Sequence, residues 1–222
     1  MPFIFTNRIG GVSRAPFDSA NLGDHVGDDS LDVLANRALL EAQIGMPIVF
    51  MNQVHGETVV LVETANADPR NSPTCDALIT TEHNLALAVM VADCIPLLLK
   101  SEVAVAAVHV GRKGLMNSIT RKTIEAMRDL GAEQINSYIG PNICGNCYEV
   151  SEEIYSDVIK RFPTADSKPR TGKFTLDLVA GLKSDLKDTV IMDHSSCVFE
   201  DPKTFSYRRE GTTGRQAGLI WR

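Results

Sequence analysis

The sequence lacks an apolar run long enough to span a bilayer. The longest such run, Leu85 to Ala92, is far shorter than the roughly 20 residues that a membrane helix needs. It also lacks positive charge: 22 Lys and Arg stand against 28 Asp and Glu, and the formal net charge is −6. Nucleic-acid-binding proteins usually present a basic face instead. Because residues 1–8 show no basic stretch followed by an apolar one, we expect a cytoplasmic protein that binds neither membrane nor nucleic acid.

Cysteine and histidine are both scarce, with five residues of each. An odd number of cysteines in a cytoplasmic protein argues against a disulfide framework and favours metal or catalytic use of at least one. A chain of 222 residues, 44% hydrophobic and 23% charged, can bury a core without a structural metal. We therefore expect any bound metal to serve function. The cysteines are Cys75, Cys94, Cys144, Cys147 and Cys197.

The order of apolar runs predicts an α/β (α+β) fold. Several predicted strands are apolar at every position, which is typical of strands covered on both faces. We predict a single layered domain over residues 1–222, with mixed sheets covered by helices. Ser30 is the predicted N-cap of the first helix, and Gly45 ends it. The predicted helices are Leu31–Ile44, Leu115–Leu130, Ser151–Phe162 and Leu176–Leu186; the predicted strands are Phe3–Thr6, Ile48–Met51, Thr58–Val62, Ala77–Thr80, Leu85–Val91, Pro96–Leu99, Val103–His109, Ser137–Ile139, Val190–Met192 and Ala217–Trp221.

Two polar stretches interrupt this pattern. Residues 8–29 are rich in glycine, and a long loop in a compact domain is usually functional or disordered. Residues 64–75 are rich in Asn, Pro, Ser and Asp. This composition predicts a surface excursion within the domain.

Three side chains that can bind metals stand at the ends of predicted strands. His55 lies where a strand gives way to a turn, Cys94 lies between two apolar runs, and His109 ends a strand. Two imidazoles and a thiolate form a good zinc set that leaves a fourth position open to activate water, and copper uses the same ligand types. The alternative is that both histidines are ordinary strand-end residues and Cys94 a small buried hydrophobe.

Several ordered motifs carry a resemblance to a known family. Over nearly the whole chain, the sequence resembles the laccase-domain family, also called the multicopper polyphenol oxidase family. Members of that family have been reassigned as purine nucleoside phosphorylases and adenosine deaminases. The motifs are Asn7–Ser13, Ser19–Asp29, Asn36-Arg37, Gln53–Gly56, Ala92–Pro96, His109–Gly114, Ile139–Pro141, Cys147–Val150, Arg208-Arg209 and Thr213–Arg215.

The resemblance implies a metal, a substrate class and two reactions. His55, Cys94 and His109 fall on the zinc ligands of the family, with Cu²⁺ as the alternative ion. The implied reaction is phosphorolysis of adenosine, inosine, guanosine or methylthioadenosine by inorganic phosphate, with adenosine deamination as a second activity. Zinc deaminases also need a glutamate as acid and base, for which the sequence offers no clear candidate. The expected state is a monomer or a homodimer.

Four further residues are candidates near this site. Arg37 either binds phosphate, as bidentate Arg does, or is a solvated helix residue. Asn21 either lines the substrate mouth or stabilises its loop through an Asx turn. Arg112 replaces the usual Trp of the family and would meet the substrate as a cation and a planar stacking group. Asp93 either orients an imidazole or caps a turn.

The pair Cys144 and Cys147 forms a C-x-x-C motif, a spacing found in redox pairs and zinc fingers. No second C-x-x-C or histidine pair at suitable spacing completes a finger. In the resembled family this stretch often carries cysteine without a metal role. We therefore interpret it as an inert loop, and Cys75 and Cys197 as structural residues.

Three other functions remain as alternatives. A copper-dependent polyphenol oxidase needs many histidines for its copper centres, and five histidines without a His-x-His pair are too few. A cysteine hydrolase would use Cys94 as the nucleophile and a histidine as the base. The third is a metal-binding partner protein with no activity. Loss or survival of activity after chelation separates the metalloenzyme from the hydrolase.

Overall fold

A computed structural model describes residues 2–63, 72–167 and 172–222. The strands in these ranges are β1 (Phe3–Phe5), β2 (Ile48–Val49), β3 (Val59–Leu61), β4 (Ala77–Thr80), β5 (Ala86–Val91), β6 (Ile95–Lys100), β7 (Val105–Val110), β8 (Asn136–Ile139), β9 (Asp166–Ser167), β10 (Thr175–Leu176), β11 (Val190–Asp193) and β12 (Gln216–Ile220). The helices are α1 (Ser30–Ile44), α2 (Arg112–Met116), α3 (Ile119–Asp129), α4 (Glu152–Arg161), α5 (Leu178–Asp185) and α6 (Tyr207–Glu210), with a 3-10 turn at Pro163–Ala165.

Two mixed sheets form the centre of the fold. Within the described ranges, one sheet has the strand order β1-β12-β5-β2 and the other the order β11-β8-β6-β7-β4-β3. Most neighbours are antiparallel, whereas β2 runs parallel to β5, β3 to β4, and β11 to β8. The predicted α/β class with mixed sheets and covering helices is therefore confirmed.

The position of strand β5 between two hydrophobic clusters explains why its sequence is apolar without alternation. Leu87 and Val89 point into the core between the two sheets, together with Leu98 and Ala107 of the other sheet. The intervening residues, such as Ala88, point to the opposite face, where they pack in a cluster that α1 closes. Both faces of the strand are thus excluded from water, as the continuous apolar run predicts.

The second sheet is covered on its outer face by helices. Ile95, Leu97 and Leu99 of β6 alternate toward a cluster that includes Met127 of α3 and Leu182 of α5. The molecule therefore has a helix–sheet–sheet–helix order of layers, and the turns between strands of different sheets lie at the ends of the sandwich.

Some predicted boundaries were wrong. The predicted helix Leu115–Leu130 is two helices, because Ser118 takes a left-handed φ of 62° and separates α2 from α3. The side chain that caps α1 is Asp29 rather than Ser30, and it accepts the N–H of Leu31. The predicted helix Leu176–Leu186 starts only at Leu178, because Asp177 caps it.

Other boundaries were right or cannot be compared. Gly45 ends α1 as predicted, and the structure shows it in the left-handed conformation with a φ of 75°. Residues 64–71 of the predicted surface excursion lie outside the described residues. Among the helices of the described ranges, none combines the length and the apolarity that crossing a bilayer requires.

Candidate active site

The three predicted metal-binding side chains come from two connections between strands and from one strand of the sandwich. Cys94 lies where the chain leaves β5 in one sheet and enters β6 in the other. Its neighbour Asp93 has a φ of 107°, which turns the chain sharply at this crossing. His109 lies within β7 and is 3% exposed. His55 lies in the connection from β2 to β3 with a φ of 58°.

The fold brings these side chains to a common point. One ligand atom from each of His55, Cys94 and His109 lies within 4.8 Å of the others. The two imidazole rings are 4.7 Å apart between centroids and nearly perpendicular, at 77°. Two nitrogen donors and one sulfur donor thus face one another at the end of the sheets.

The side chain of Gln53 fixes the start of the segment between β2 and β3 that carries His55. Its amide nitrogen donates to the carbonyl of Met90 at 2.8 Å, and its amide oxygen accepts the N–H of Met90 at 2.8 Å. This pair of bonds ties the chain after β2 to the last residues of β5. His55 follows only two residues later, so its backbone starts from a fixed place.

Asp76 is the functional residue that sequence reasoning missed. Its carboxylate is fully buried; Oδ1 lies 2.8 Å from Nδ1 of His109 and accepts the backbone N–H of His55 at 3.0 Å. Oδ2 accepts the N–H of Gly56 at 2.6 Å and that of Val54 at 3.2 Å. One carboxylate therefore orients both imidazole ligands. A sequence signal existed, since Asp76 is an acid that directly precedes the wholly buried strand β4.

The carboxylate of Asp76 fixes the tautomer of His109. A metal-bound histidine usually donates its other ring N–H to a carboxylate or carbonyl, and here Nδ1 has that partner while Nε2 is left for an ion. Burial alone would raise the pKa of Asp76, but the hydrogen bonds from His109 and Gly56 lower it below its usual range. The acid is therefore ionised and acts as an acceptor.

Cys94 and His109 form a charged pair in the metal-free chain. Burial would raise the pKa of Cys94, but the charge and hydrogen bond of His109, helped by His55, lower it to about 6. Burial would lower the pKa of His109, but Cys94 and Asp76 raise it to about 9. Both shifts favour a thiolate beside an imidazolium, and a thiolate is the form that binds metals and attacks electrophiles.

Gly111 is required by the closeness of the ligands. A Cβ at this position would lie 2.9 Å from Sγ of Cys94 and 3.3 Å from Cδ2 of His55. Its φ of −86° suits any residue, so the constraint is one of space. The glycine thus lets the backbone after β7 approach the ligand atoms closely.

The ligand group opens into a cavity of about 330 Å³, a volume within the range of small-molecule sites. His25, from the glycine-rich residues 8–29, contributes to the lining of this cavity. A different cavity, of about 380 Å³, lies between β1 and α1 and is lined by none of the three ligands. Beyond those ligands, the first cavity is lined by His25, Gln53, Met90, Val91, Ala92, Asp93, Tyr148, Tyr207, Arg208 and Arg215.

Two arginines of this lining are held in place by backbone carbonyls. Arg215 donates from Nη1 to the carbonyls of Thr213 and Gly214, both at 2.9 Å. Arg208 donates to the carbonyl of Glu149 at 2.6 Å, and its guanidinium lies 4.7 Å from the ring centroid of Tyr148. The cavity therefore combines fixed cations with aromatic surface. Both arginines belong to the motifs that carry the family resemblance, but no role was predicted for either of them.

Asp93 does not orient an imidazole. It accepts the hydroxyl of Ser206 at 2.5 Å and the N–H of Arg208 at 2.8 Å, which holds the first turn of α6 against the cavity. Of its two predicted roles, the structure therefore shows the capping one. Burial raises the pKa of Asp93, and these hydrogen bonds oppose that change.

The structure places the predicted residues Arg37 and Asn21 behind the cavity lining. Arg37 donates from Nε and Nη2 to the carbonyl of Leu22, at 3.0 and 2.8 Å, and stacks 4.1 Å from the ring centroid of Phe50. Asn21 is fully buried, and its Oδ1 accepts the N–H of Arg215 at 2.8 Å. Asn21 thus holds the backbone of Arg215 in place. This contact fits the structural alternative given for Asn21, stabilisation of a loop, and not a place at the substrate mouth.

Arg112 begins α2 and lies beside the cavity rather than in its lining. It borders a neighbouring surface depression together with Tyr148 and Arg208, two residues that the depression shares with the cavity. Burial raises the pKa of Tyr148, and the positive charge of the nearby Arg112 opposes that rise. A substrate that fills the cavity and extends past Tyr148 would meet Arg112.

Comparison with known proteins identifies relatives over the whole length. The model of a family described as multi-copper polyphenol oxidoreductase laccase matches residues 2–222. A Corynebacterium glutamicum protein named purine nucleoside phosphorylase is 45% identical over 98% of this chain and 93% of its own length. A protein of the same name from Streptomyces coelicolor is 42% identical over 99% and 94%.

Solved structures share the fold. A Neisseria meningitidis protein described as belonging to family DUF152 matches with a TM-score of 0.88 at 36% identity, covering 99% of this chain and 93% of that one. The YlmD protein of Geobacillus stearothermophilus matches with a TM-score of 0.87 at 28% identity, covering 100% and 92%.

Proposed function

Since the chain belongs to the family described as multi-copper polyphenol oxidoreductase laccase, in which its relatives are named purine nucleoside phosphorylases, we propose that it is a zinc-dependent purine nucleoside phosphorylase. Its substrates are adenosine, inosine, guanosine or methylthioadenosine together with inorganic phosphate, and adenosine deamination is a second activity. The observation that carries the proposal is the convergence of His55, Cys94 and His109 in a cavity that also holds arginine and tyrosine.

The ligand set fits zinc on its own chemistry. Two imidazoles and a thiolate are ordinary zinc ligands, and three protein ligands are typical of catalytic sites. Asp76 supports the set, because it holds the Nδ1 side of His109 and the backbone of His55. A zinc ion held there would supply a Lewis acid that stabilises developing negative charge. Copper also accepts these ligands, so the metal is part of the test.

The remaining groups of the cavity suit the two substrates of phosphorolysis. In this reaction a phosphate oxygen bonds to the ribose C1′ while the bond from C1′ to the base nitrogen breaks, and the base leaves with the electron pair. Arg208 and Arg215 line the cavity as fixed cations and suit phosphate, which arginine binds in a bidentate manner. Arg37 stays a second candidate for phosphate, although it lies behind Met90. Tyr148 and Tyr207 offer aromatic faces for the purine.

The proposal is tested by a nucleoside panel with and without phosphate. Wild type should release free base and ribose 1-phosphate only with phosphate present, and any deamination should release ammonia from adenosine without it. Cys94→Ala should lose both bound zinc and turnover, while Cys75→Ala, which removes a buried thiol away from the cavity, should keep both. Turnover by Cys94→Ala, or no release of base from any nucleoside, would refute the proposal.

A cysteine hydrolase is the second candidate, favoured by the Cys94–His109 pair. The two candidates differ in their response to chelation. The phosphorylase should lose activity when zinc is removed and regain it when zinc is restored. A hydrolase should stay active, or become more active, because its thiolate would then be uncovered. The copper oxidase is tested in the same samples by oxygen uptake with phenols, which we expect to be absent.

A further inference from the structure

Two turns outside the active site share one hydrogen-bond pattern. The carbonyl of Cys144 accepts the N–H of Cys147 at 3.0 Å and that of Tyr148 at 3.1 Å. The carbonyl of Cys197 accepts the N–H of Glu200 at 3.2 Å and that of Asp201 at 3.2 Å. Each turn therefore presents side chains three residues apart on one side, as Cys-x-x-Cys and as Cys-x-x-Glu.

Backbone hydrogen bonds hold the two turns next to each other. The N–H of Asn142 donates to the carbonyl of Ser196 at 3.0 Å, and the N–H of Val198 donates to the carbonyl of Asn142 at 3.1 Å. These bonds form a parallel bridge between Asn142 and Cys197. Cys197 is thereby held against the start of the other turn, although it lies some 50 residues further along the chain.

The side chains of the two turns converge. The Sγ atoms of Cys144, Cys147 and Cys197 lie within 4.8 Å of one another. Sγ of Cys147 lies 3.7 Å from Oε1 of Glu200, and the backbone N–H of Cys144 points at Sγ of Cys197, at 3.4 Å. All three thiols are free, and each is partly accessible to solvent.

We propose that Cys144, Cys147, Cys197 and Glu200 form a second, structural zinc site. Three thiolates and a carboxylate complete the closed, four-ligand tetrahedron of structural zinc sites, and Cys-x-x-Cys is the usual spacing of one half. Zn–S bonds of about 2.3 Å place tetrahedral sulfurs roughly 3.8 Å apart. The three Sγ atoms, which lie within 4.8 Å of one another, would therefore have to approach by at most about 1 Å. On binding, the three thiols release three protons to solvent as three Zn–S bonds form.

Other ions fit this group less well. Three sulfur ligands select soft or borderline metals and exclude Mg²⁺ and Ca²⁺, which require oxygen. The N–H of Cys144 would stabilise the thiolate of Cys197 from outside the coordination shell. Cys144 and Cys197 also line a surface cavity of about 310 Å³, which gives an ion access.

The position of this site explains what it would do. Tyr148, which lines the active-site cavity, directly follows Cys147. Arg209, the neighbour of the cavity residue Arg208, donates to the carbonyls of Val198 and Phe199 in the other turn. An ion between the turns would therefore crosslink two segments that carry the cavity wall. The inert-loop interpretation missed this, because no spacing in the sequence shows that Cys197 and Glu200 meet the Cys-x-x-Cys turn.

The test counts zinc in the full-length protein. Reduced, metal-free chain is reloaded with zinc alone, passed through a desalting column and analysed for zinc per chain. Wild type should bind two zinc ions, one for each ligand group. Cys197→Ser and Cys144→Ser should each lose one of them, Cys94→Ala should lose the other, and Cys75→Ala should keep both. Glu200→Gln changes a proposed ligand and should weaken the second site by about tenfold or more, at least the loss typical of removing a supporting group outside the coordination shell.

A spectroscopic measurement keeps the test decisive if a cysteine variant fails to fold. Cys94→Ala loaded with Co²⁺ should still show intense thiolate-to-cobalt charge transfer from the three remaining site thiols. Wild type should also melt at a higher temperature with zinc than after chelation, and Cys94→Ala should keep most of that shift. A single zinc in wild type that Cys94→Ala abolishes, no charge transfer in Cys94→Ala, or a Cys144–Cys147 disulfide that forms in place of zinc binding would overturn the proposal. None of these results depends on enzymatic turnover, so they test the second zinc site independently of the proposed nucleoside activity.

Discussion

Replacing Asp76 by Asn tests whether one buried carboxylate organises the ligand group. The change keeps the size of the side chain and removes its charge. Oδ1 can still accept from His109 Nδ1, so the histidine tautomer survives. The new NH₂ group, however, faces the N–H groups of Val54 and Gly56, to which Oδ2 now serves as acceptor at 3.2 and 2.6 Å. The N–H groups of the new amide would then face two other N–H groups at a side chain that is fully buried.

The expected cost follows from these contacts. Each hydrogen bond to a charged group contributes about 1.5–3 kcal/mol, so losing both from Oδ2 should lower the free energy of unfolding by about 3 kcal/mol or more. Loss of the charged partner of His109 should weaken zinc binding roughly 10- to 100-fold, the range found when such supporting groups are removed. That range corresponds to about 1.4–2.8 kcal/mol.

Two measurements separate these effects. Urea unfolding of the metal-free protein reports the stability, and competition with a chromophoric chelator reports the zinc affinity. The control is Asp157→Asn, the same chemical change on the exposed face of α4, which should alter neither value. If Asp76→Asn binds zinc within about twofold of wild type, the carboxylate does not support the ligands and the account of the site fails.

Three other perturbations have defined outcomes. In metal-free protein, iodoacetamide should modify Cys94 with a midpoint at about pH 6, because the group is a thiolate above its lowered pKa; His109→Gln should move the midpoint upward, and an unchanged midpoint would contradict the ion pair. Gly111→Ala should lower zinc affinity about tenfold or more with little change in the unfolding temperature, because its Cβ would lie 2.9 Å from Sγ of Cys94; equal affinity would refute this crowding. Ser151→Ala should destabilise the protein by about 1 kcal/mol in urea unfolding, since the hydroxyl that accepts the N–H of Ile154 caps α4; no change would show that the cap is dispensable.

The fold could be predicted where neighbouring residues carry a clear signal, such as an apolar run or a glycine that ends a helix. Strands β4 to β7 are apolar at nearly every position, and the structure buries almost all of their residues. Gly45 ended α1 where predicted, because glycine takes the left-handed conformation at no cost. The break at Ser118 was missed, because the apolar spacing of residues 115–130 continues across it.

Some residues of the candidate site could likewise be predicted from the sequence, and others could not. His55, Cys94 and His109 could be predicted, because metal-binding side chains at strand ends have a local signature and a family likeness. Asp76 and Arg215 were missed, because their roles depend on contacts between strands that are distant in sequence. For Asp93 the sequence left two roles open, orienting an imidazole or capping a turn. The structure gives the first role to Asp76 and shows Asp93 bound to the start of α6.

The crossing of the chain between the two sheets at Cys94 has a consequence for engineering. His109 belongs to one sheet. The segment that carries His55 is tied to the other sheet through Gln53 and to the sheet of His109 through Asp76, and Cys94 joins the two. A fragment or a circular permutant that kept a single sheet would retain an incomplete chelate, however well that sheet folded. Retained metal would therefore report that both layers have docked, and loss of metal would be an early sign that they have come apart.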